Sequence, residues 1–158
     1  MLFRSGVSYS KNESKITISG IPDKPGISAK IFGLMASNNI NVDMIVQNIS
    51  QDGVSANMTF TVLTKDIELA KKTLERNNNE LNYTNLSTDS NIAKISVIGM
   101  GMMSQSGVAE KMFKTLADKQ INILAISTSE IKISVLIDKK YTDLAVKTLH
   151  SVYKLDNK

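Results

Sequence analysis

The pattern of apolar residues changes its period near the start of the chain. From Ile16 to Gly20 apolar and polar residues alternate, which predicts a strand. After a break at the Asp-Lys-Pro-Gly of 23–26, apolar residues recur three and four positions apart from Ile27 to Met35, which predicts an amphipathic helix. A strand, a tight joint and a helix therefore follow one another.

The residues that follow continue this alternation of strands and helices. The periodicity predicts strands at 42–49, 58–63 and 81–88, a helix at 67–74, and a hairpin turn at the Gln-Asp-Gly of 51–53. The predicted order is β-α-β-β-α-β, which is the split arrangement of ferredoxin-like folds.

The chain contains a second copy of this unit. Two stretches align at an offset of 81 with identities Gly26/Gly107, Lys30/Lys111, Phe32/Phe113, Ala36/Ala117, Ile40/Ile121 and Asn41/Asn122. The second copy is predicted to have strands at 93–98, 122–127 and 132–137 and helices at 107–119 and 141–153. It lacks a fourth strand, because the remaining sequence, KLDNK, is short and polar.

An unassigned segment at the N-terminus, residues 2–10, contains apolar residues suited to a strand. We expect this segment to cross over and supply the missing strand; the alternative is a frayed tail. The predicted fold class is α+β, with two ferredoxin-like βαββαβ domains. The first domain (15–90) is inserted in the second (1–14 plus 91–158).

Composition narrows the classes of function. The 158 residues are 42% hydrophobic, which is enough for a core, and the net charge of +4 comes from scattered lysines rather than a basic stripe. Nucleic-acid binding is therefore not expected. The chain has no cysteine and one histidine, which argues against Cys- or His-based metal sites and a thiol nucleophile. Neither a membrane-spanning run nor a signal peptide is recognised, so a cytoplasmic location is expected.

The joint at Ile21–Gly26 has the chemistry of a binding site. Its prolines restrict the backbone, and Gly26 leaves the amides of the helix start accessible to an anion. Asp23 adds a carboxylate beside those amides. The joint can therefore hold a zwitterion, whose carboxylate binds the helix amides and whose ammonium group binds Asp23. The alternative is a tight strand-to-helix turn with an exposed aspartate.

The second copy has GMGMMSQSG, residues 99–107, at the same place. This stretch fails as a dinucleotide fingerprint because Ser104 replaces the third glycine, and it lacks the Gly-Lys-Ser/Thr of a phosphate loop. We interpret it as a strand-to-helix loop. Met100, Met102 and Met103 can line an adaptable pocket there, or can simply pack the loop.

Catalytic groups are not recognised in this sequence. His150 lies near the end of a predicted helix without a motif that would pair it with a nucleophile. No catalytic residue and no cofactor are therefore predicted.

Two long stretches are similar to a known family. KITISGIPDKPGISAKIFGLMASNNINVDMIVQN resembles the first ACT domain of aspartate kinase (aspartokinase), and AKISVIGMGMMSQSGVAEKMFKTLADKQINILAISTSEIKISVLI resembles its second. The similarity extends from about Gly6 to Leu155. D-K-P-G combined with N-I-N-x-D-M-I-V-Q-N and I-S-T-S-E-I-x-I-S-V-L is more specific than D-x-P-G alone.

The resemblance implies a regulatory function. ACT domains of this family bind end-product amino acids and regulate a kinase that phosphorylates the β-carboxylate of aspartate with ATP. The chain does not resemble the catalytic domain, so we expect a regulatory domain or subunit without catalysis of its own. The family also has the strand crossover proposed above, and its effector pocket lies where the first ACT domain of one chain faces the second of another.

Effector contacts carry over from the family by motif. The first-domain contacts are Asp23, Pro25, Gly26, Ile27, Ser28 and Gln47. The opposing second-domain contacts are Gly107, Val108, Ala109, Asn122 and Ile123. Ser50 and Thr59 match positions near the pocket where substitutions relax inhibition.

Three positions depart from the family pattern. Ser28 and Ala109 stand where alanine and threonine are common, and Asn57 replaces a frequent aspartate. The last change removes a negative charge and weakens an inference that lysine is the ligand.

The implied effector is threonine and/or lysine. The implied partners are a second copy in a homodimer and an aspartate kinase catalytic domain or subunit. The alternatives are a stand-alone amino-acid sensor or interaction module, and a catalytic ferredoxin-like protein.

Overall fold

The computed structural model describes residues 6–99 and 103–153. The chain divides into two compact units. The inserted unit is Asn12–Ser90, and the split unit combines the residues up to Lys11 with those from Asn91 onward. The prediction assigned residues 12–14 to the second domain; the structure places them in the inserted unit, because the first strand of that unit begins at Glu13.

Strands and helices follow the predicted alternation. The strands are β1 (Gly6–Ser10), β2 (Glu13–Pro22), β3 (Val42–Ile49), β4 (Ser55–Leu63), β5 (Asn85–Asp89), β6 (Ile92–Ile98), β7 (Ala125–Thr128) and β8 (Lys132–Asp138). The helices are α1 (Ile27–Ser37), α2 (Ile67–Arg76), α3 (Asn78–Leu81), α4 (Gln105–Asp118) and α5 (Thr142–Tyr153).

The inserted unit forms an antiparallel sheet in the order β3-β4-β2-β5. Successive side chains of a strand point to opposite faces, so Ile16 and Ile18 of β2 turn the same way into the core. Helix α1 adds Ile31 and Met35 to that core. The Phe60 ring of β4 packs edge-to-face on Phe32 of α1, with 5.3 Å between ring centroids.

The split unit has the same architecture, and β1 completes it. Its sheet order is β1-β6-β8-β7, so β1 occupies the place that β5 has in the inserted unit. Antiparallel pairing runs from Gly6 opposite Ile98 to Ser10 opposite Lys94. The predicted crossover is confirmed, and the two-domain α+β fold with it. The strand was predicted at 2–10; residues 2–5 lie outside the described part of the chain.

Two predicted strands are shorter in the structure. The strand predicted at 81–88 begins only at Asn85, because Leu81 ends α3 with its side chain fully buried and Asn82 adopts a left-handed conformation. The strand predicted at 122–127 begins only at Ala125. The predicted site residues Asn122 and Ile123 therefore lie in the connection that precedes β7 rather than in the strand.

Tyr153 ties the end of α5 to the start of α4. Its hydroxyl donates to the Val108 carbonyl oxygen at 2.7 Å, and the Lys111 ammonium lies 5.4 Å from the ring centroid. Burial of the phenol raises the pKa of Tyr153 to about 12.

This raised pKa makes alkaline stability depend on Tyr153. The unfolded phenol loses its proton near pH 10, whereas the folded phenol keeps it, so the contribution to stability is present below about pH 10 and is lost as pH approaches about 12. We expect the stability difference between the wild type and Tyr153→Phe in urea unfolding to shrink from about pH 9 to about pH 11. A constant difference would contradict this assignment.

Candidate functional site

The joint between β2 and α1 is an ordered turn with exposed side chains. The Asp23 amide donates to the Val54 carbonyl oxygen at 3.0 Å, which fastens the joint to the β3–β4 hairpin. The Lys24 amide donates to the Pro22 carbonyl oxygen at 3.1 Å. Residues 23–26 are nevertheless all exposed. The Asp23 carboxylate is therefore held on a fixed backbone and is accessible from solvent.

The start of α1 has no side-chain cap. Its N-cap is Gly26, which has φ 94° in the left-handed region that favours glycine. Gly26 has no side-chain oxygen that could accept from the first helical amides, and the Ile27 amide makes only a long bond of 3.5 Å to the Lys24 carbonyl oxygen. The positive end of α1 therefore opens to solvent beside Asp23. Ile27 is buried and anchors this end of the helix in the core.

Ser28 and Gln47 meet across two elements. The Ser28 hydroxyl on the first turn of α1 donates to Gln47 Oε1 on β3 at 3.4 Å. Gln47 is exposed and Ser28 is half-buried. The structure therefore brings two of the predicted contact residues together on the side of the helix start that faces β3.

Ser50 and Thr59 hold the strands around this region. The Ser50 amide donates to the Ser55 carbonyl oxygen at 2.8 Å at the base of the hairpin. Asp52 in the same turn accepts hydrogen bonds from the Val54 and Ser55 amides, and these bonds lower the pKa of its carboxyl group. Thr59 lies within β4 and pairs its hydroxyl with that of Thr17 at 3.2 Å. Both predicted residues thus have hydrogen-bonding roles inside the sheet and hairpin.

The corresponding helix start in the split unit is capped. The Ser104 hydroxyl oxygen accepts from the Gly107 amide at 3.0 Å, and the Gln105 side chain donates to the Ser129 carbonyl oxygen at 2.9 Å. Val108 is buried, whereas Gly107 and Ala109 are partly exposed. The α4 terminus is therefore less available to an outside anion than the α1 terminus.

Met103 lines a cavity next to this helix start. The cavity measures about 220 Å³, and its apolar lining includes Val97, Val108, Ile131 and Ile133. Both alternatives given for the methionines apply to Met103, which lines this cavity and also packs against the core of the split unit. Met100 and Met102 lie outside the described residues.

Asn122 and Ile123 lie between α4 and β7. Asn122 is exposed, whereas Ile123 is partly buried and packs on the same core as Val108. Asn122 thus offers a polar amide on the surface of the split unit, and Ile123 fixes the backbone beside it.

Sequence reasoning missed two features that shape the site. One is the Ser104 cap, which the pattern of a serine three residues before a helical glycine could have indicated. The other is the Asn57 side chain, whose Oδ1 accepts from the Gly20 amide at 3.1 Å. The glycine within a strand was the available signal for this second feature, because such glycines often mark a bulge.

The chemistry of the joint is that of amino-acid recognition. An uncapped helix start can bind a carboxylate, and the exposed Asp23 carboxylate can bind an ammonium group.

In the described part of the chain, no group of three or more His, Cys, Asp or Glu side chains could hold a metal ion. Across the same residues, no helix is long and apolar enough to cross a membrane.

The sequence of the chain matches one family and its curated members. The ACT domain model matches residues 15–77 and 95–153. The aspartokinase of Helicobacter pylori strain 26695 is 51% identical over 152 residues, which cover 96% of this chain and 37% of that protein. The aspartate kinase of Pseudomonas fluorescens SBW25 is 46% identical with the same coverage. The chain thus spans 37% of the length of these relatives.

Two solved structures of aspartate kinase regulatory subunits are similar to this chain over almost their whole length. The ligand-free regulatory subunit of aspartate kinase from Thermus thermophilus has a TM-score of 0.85 and 34% identity, with 94% of this chain and 97% of that chain covered. The regulatory subunit from Thermus flavus has a TM-score of 0.86 and 36% identity, with the same coverage. This chain belongs to the ACT-domain family, among the regulatory parts of aspartate kinases.

Proposed function

We propose that this chain binds threonine and/or lysine and thereby inhibits the phosphorylation of aspartate by an aspartate kinase. The observation that carries the proposal is the joint at residues 23–26, where an exposed carboxylate stands beside an uncapped helix start. This arrangement belongs to a chain in the regulatory group of aspartate kinases.

Each group of the effector has a partner in this proposal. The α-carboxylate binds the first amides of α1, where the helix dipole favours an anion. The α-ammonium group binds the Asp23 carboxylate in a charge-assisted hydrogen bond. The effector side chain lies towards Ser28 and Gln47, whose hydroxyl and amide suit the threonine hydroxyl or the second ammonium group of lysine.

A second copy of the chain completes the site. Residues Gly107, Val108, Ala109, Asn122 and Ile123 of the second chain close over the joint in this proposal. Exposed apolar side chains on the edge strands support association: Ile45 and Ile49 on β3 are 49% and 62% exposed, and Ile126 on β7 is 42% exposed. Sheet edges with such side chains favour pairing with another chain.

Inhibition follows from a shift between two arrangements of subunits. An amino acid held between two chains stabilises the arrangement in which its contacts from both chains are made. If that arrangement is less active in the attached or associated kinase, effector binding lowers aspartate phosphorylation. The effector must therefore bind one arrangement more tightly than the other, and the difference in binding free energy sets the size of the shift.

Calorimetric titration tests this function. Threonine or lysine is expected to bind with a dissociation constant of about 1 mM or tighter, whereas alanine and aspartate serve as controls that lack the required side chain. Absence of binding by threonine, lysine and methionine at millimolar levels would remove the proposal. Binding without any effect on the activity of an aspartate kinase partner would favour a stand-alone sensor instead.

A further inference from the structure

Strand β2 contains a bulge just before the joint. Its pairing with β4 places Ile18 opposite Met58 and Ile21 opposite Ala56, so the register shifts between the two pairs. Two residues of β2, Ser19 and Gly20, therefore stand opposite Asn57 alone. A bulge of this kind disrupts the ladder locally and bends its strand.

Asn57 supplies the hydrogen bond that the ladder lacks at Gly20. Its side-chain Oδ1 accepts from the Gly20 amide at 3.1 Å. Satisfying this amide is important because an unpaired backbone donor in a partly buried strand is costly. A side chain of β4 thus fixes the backbone of β2 at the bulge.

The bulge is also held from the β5 side. Gly20 has φ 70°, and a Cβ at this position would overlap the Thr84 hydroxyl oxygen. The Thr84 amide donates to the Ser19 carbonyl oxygen at 2.8 Å. Gly20 is therefore held between Asn57 and Thr84, in a left-handed conformation that favours glycine and in a space too small for a Cβ.

We propose that Asn57 is a positioning residue for the effector joint. Gly20 lies three residues before Asp23, so the direction in which β2 leaves the bulge sets where the Asp23 carboxylate and the α1 start are presented. Asn57 acts through the Gly20 amide rather than by touching the amino acid. The affinity part of this inference rests on the proposed function; the effect on the joint itself does not.

The split unit has a backbone hydrogen bond at the corresponding glycine. Gly99 has φ 72° and follows β6, in the place that Gly20 has at the end of the regular part of β2. The Gly99 amide donates to the Ile131 carbonyl oxygen at 2.8 Å. Pairing of β6 with β8 is continuous from Ile92 to Ile98, with no register shift. The bulge with a side-chain acceptor is therefore a feature of the unit that carries Asp23.

Substitutions at Asn57 separate positioning from direct contact with the effector. Asn57→Ala removes the acceptor, whereas Asn57→Asp keeps an oxygen in the same place and adds a charge. If Asn57 only positions the joint, Asn57→Asp behaves like the wild type towards both threonine and lysine. If the side chain contacts the ligand, the added charge shifts the preference towards lysine, and that outcome overturns the proposal.

Amide exchange and calorimetry provide the readouts. In Asn57→Ala we expect the Gly20 amide to exchange at least about tenfold faster, the amide resonances of Asp23, Lys24 and Gly26 to move, and effector affinity to fall about tenfold. Asn57→Asp should stay within about threefold of the wild type in both measurements. Asn79→Ala, at an exposed asparagine of α3, is the matched control and should change neither.

The outcomes distinguish failure of this inference from failure of the proposed function. Unchanged exchange at Gly20 in Asn57→Ala, or an equal loss in Asn57→Asp, overturns the positioning role. If the wild type binds no amino acid, the proposed function fails, and the resonances of residues 23–26 still decide whether Asn57 positions the joint. If Asn57→Ala does not fold, Asn57→Ser, whose shorter side chain cannot reach the amide in the same way, should show the same changes.

Discussion

Removal of residues 1–10 is expected to unfold the split unit and to leave the inserted unit folded. The deletion removes β1, whose five residues pair with β6 along its length and whose Val7 side chain packs on the split-unit core. Strand β6 would become an unprotected edge, with Ile95 and Val97 on its buried face. We expect a loss of about 3 kcal/mol or more in the unfolding free energy of the split unit, a large share of the stability of a small domain.

Hydrogen exchange resolves this effect unit by unit. Amides of β6 and β8 should lose protection in the deletion variant, whereas those of β2 and β4 should keep it. Val7→Asp should reproduce part of the loss because it places a charge at a partly buried position against the core, and Ser8→Asp, at an exposed position of the same strand, is the matched control. Thermal unfolding identical to that of the full chain would show that β1 does not complete this unit.

Asp23→Asn is expected to weaken effector binding by about tenfold or more. The substitution keeps the size of the side chain and one acceptor oxygen, but it removes the charge that pairs with the effector ammonium group. Because Asp23 is exposed, the fold should be unaffected. The loss of affinity should also be smaller at high salt, where screening weakens the charge pair in the wild type.

A charge-matched control isolates the role of Asp23. Asp118→Asn removes one negative charge from an exposed position at the end of α4 and should leave affinity unchanged. Equal affinities of Asp23→Asn and the wild type would place the ammonium group elsewhere. An equal loss in both variants would indicate a general effect of net charge.

The repeat is why so much of the fold could be predicted from the sequence. The two copies share the same order of strands and helices, so the assignment of each element in one copy supports the assignment in the other. The second copy lacks a fourth strand, and the unassigned segment at the N-terminus is suited to supply it. Local interactions explain where the prediction was wrong. The sequence pattern predicts a strand that starts at Leu81, but this residue ends a short helix with its side chain buried, and the side chain of Asn78 accepts from the Tyr83 amide to close the turn.

Less of the candidate site could be predicted from the residues alone. The glycine and aspartate of the joint indicated anion and ammonium binding, since their chemistry is local. Two contacts depend on the strand register: the one between Ser28 and Gln47, and the hydrogen bond that the Gly20 amide donates to Asn57. The alternation of side chains along a strand does not specify this register when a bulge inserts one residue. The sequence distinguishes Asn57 only by the charge that it lacks, whereas in the structure its amide oxygen accepts from the Gly20 amide.

In the proposed function, an amino acid binds at the joint of the inserted unit and is closed in by the split unit of a second chain. Backbone amide resonances recorded during titration with threonine, and separately with lysine, test it most directly. We expect at least one of the two amino acids to shift the resonances of Asp23, Gly26 and Ser28 together with those of Asn122 and Ile123, at a single affinity. Shifts confined to other residues, or none at saturating concentration, would contradict it.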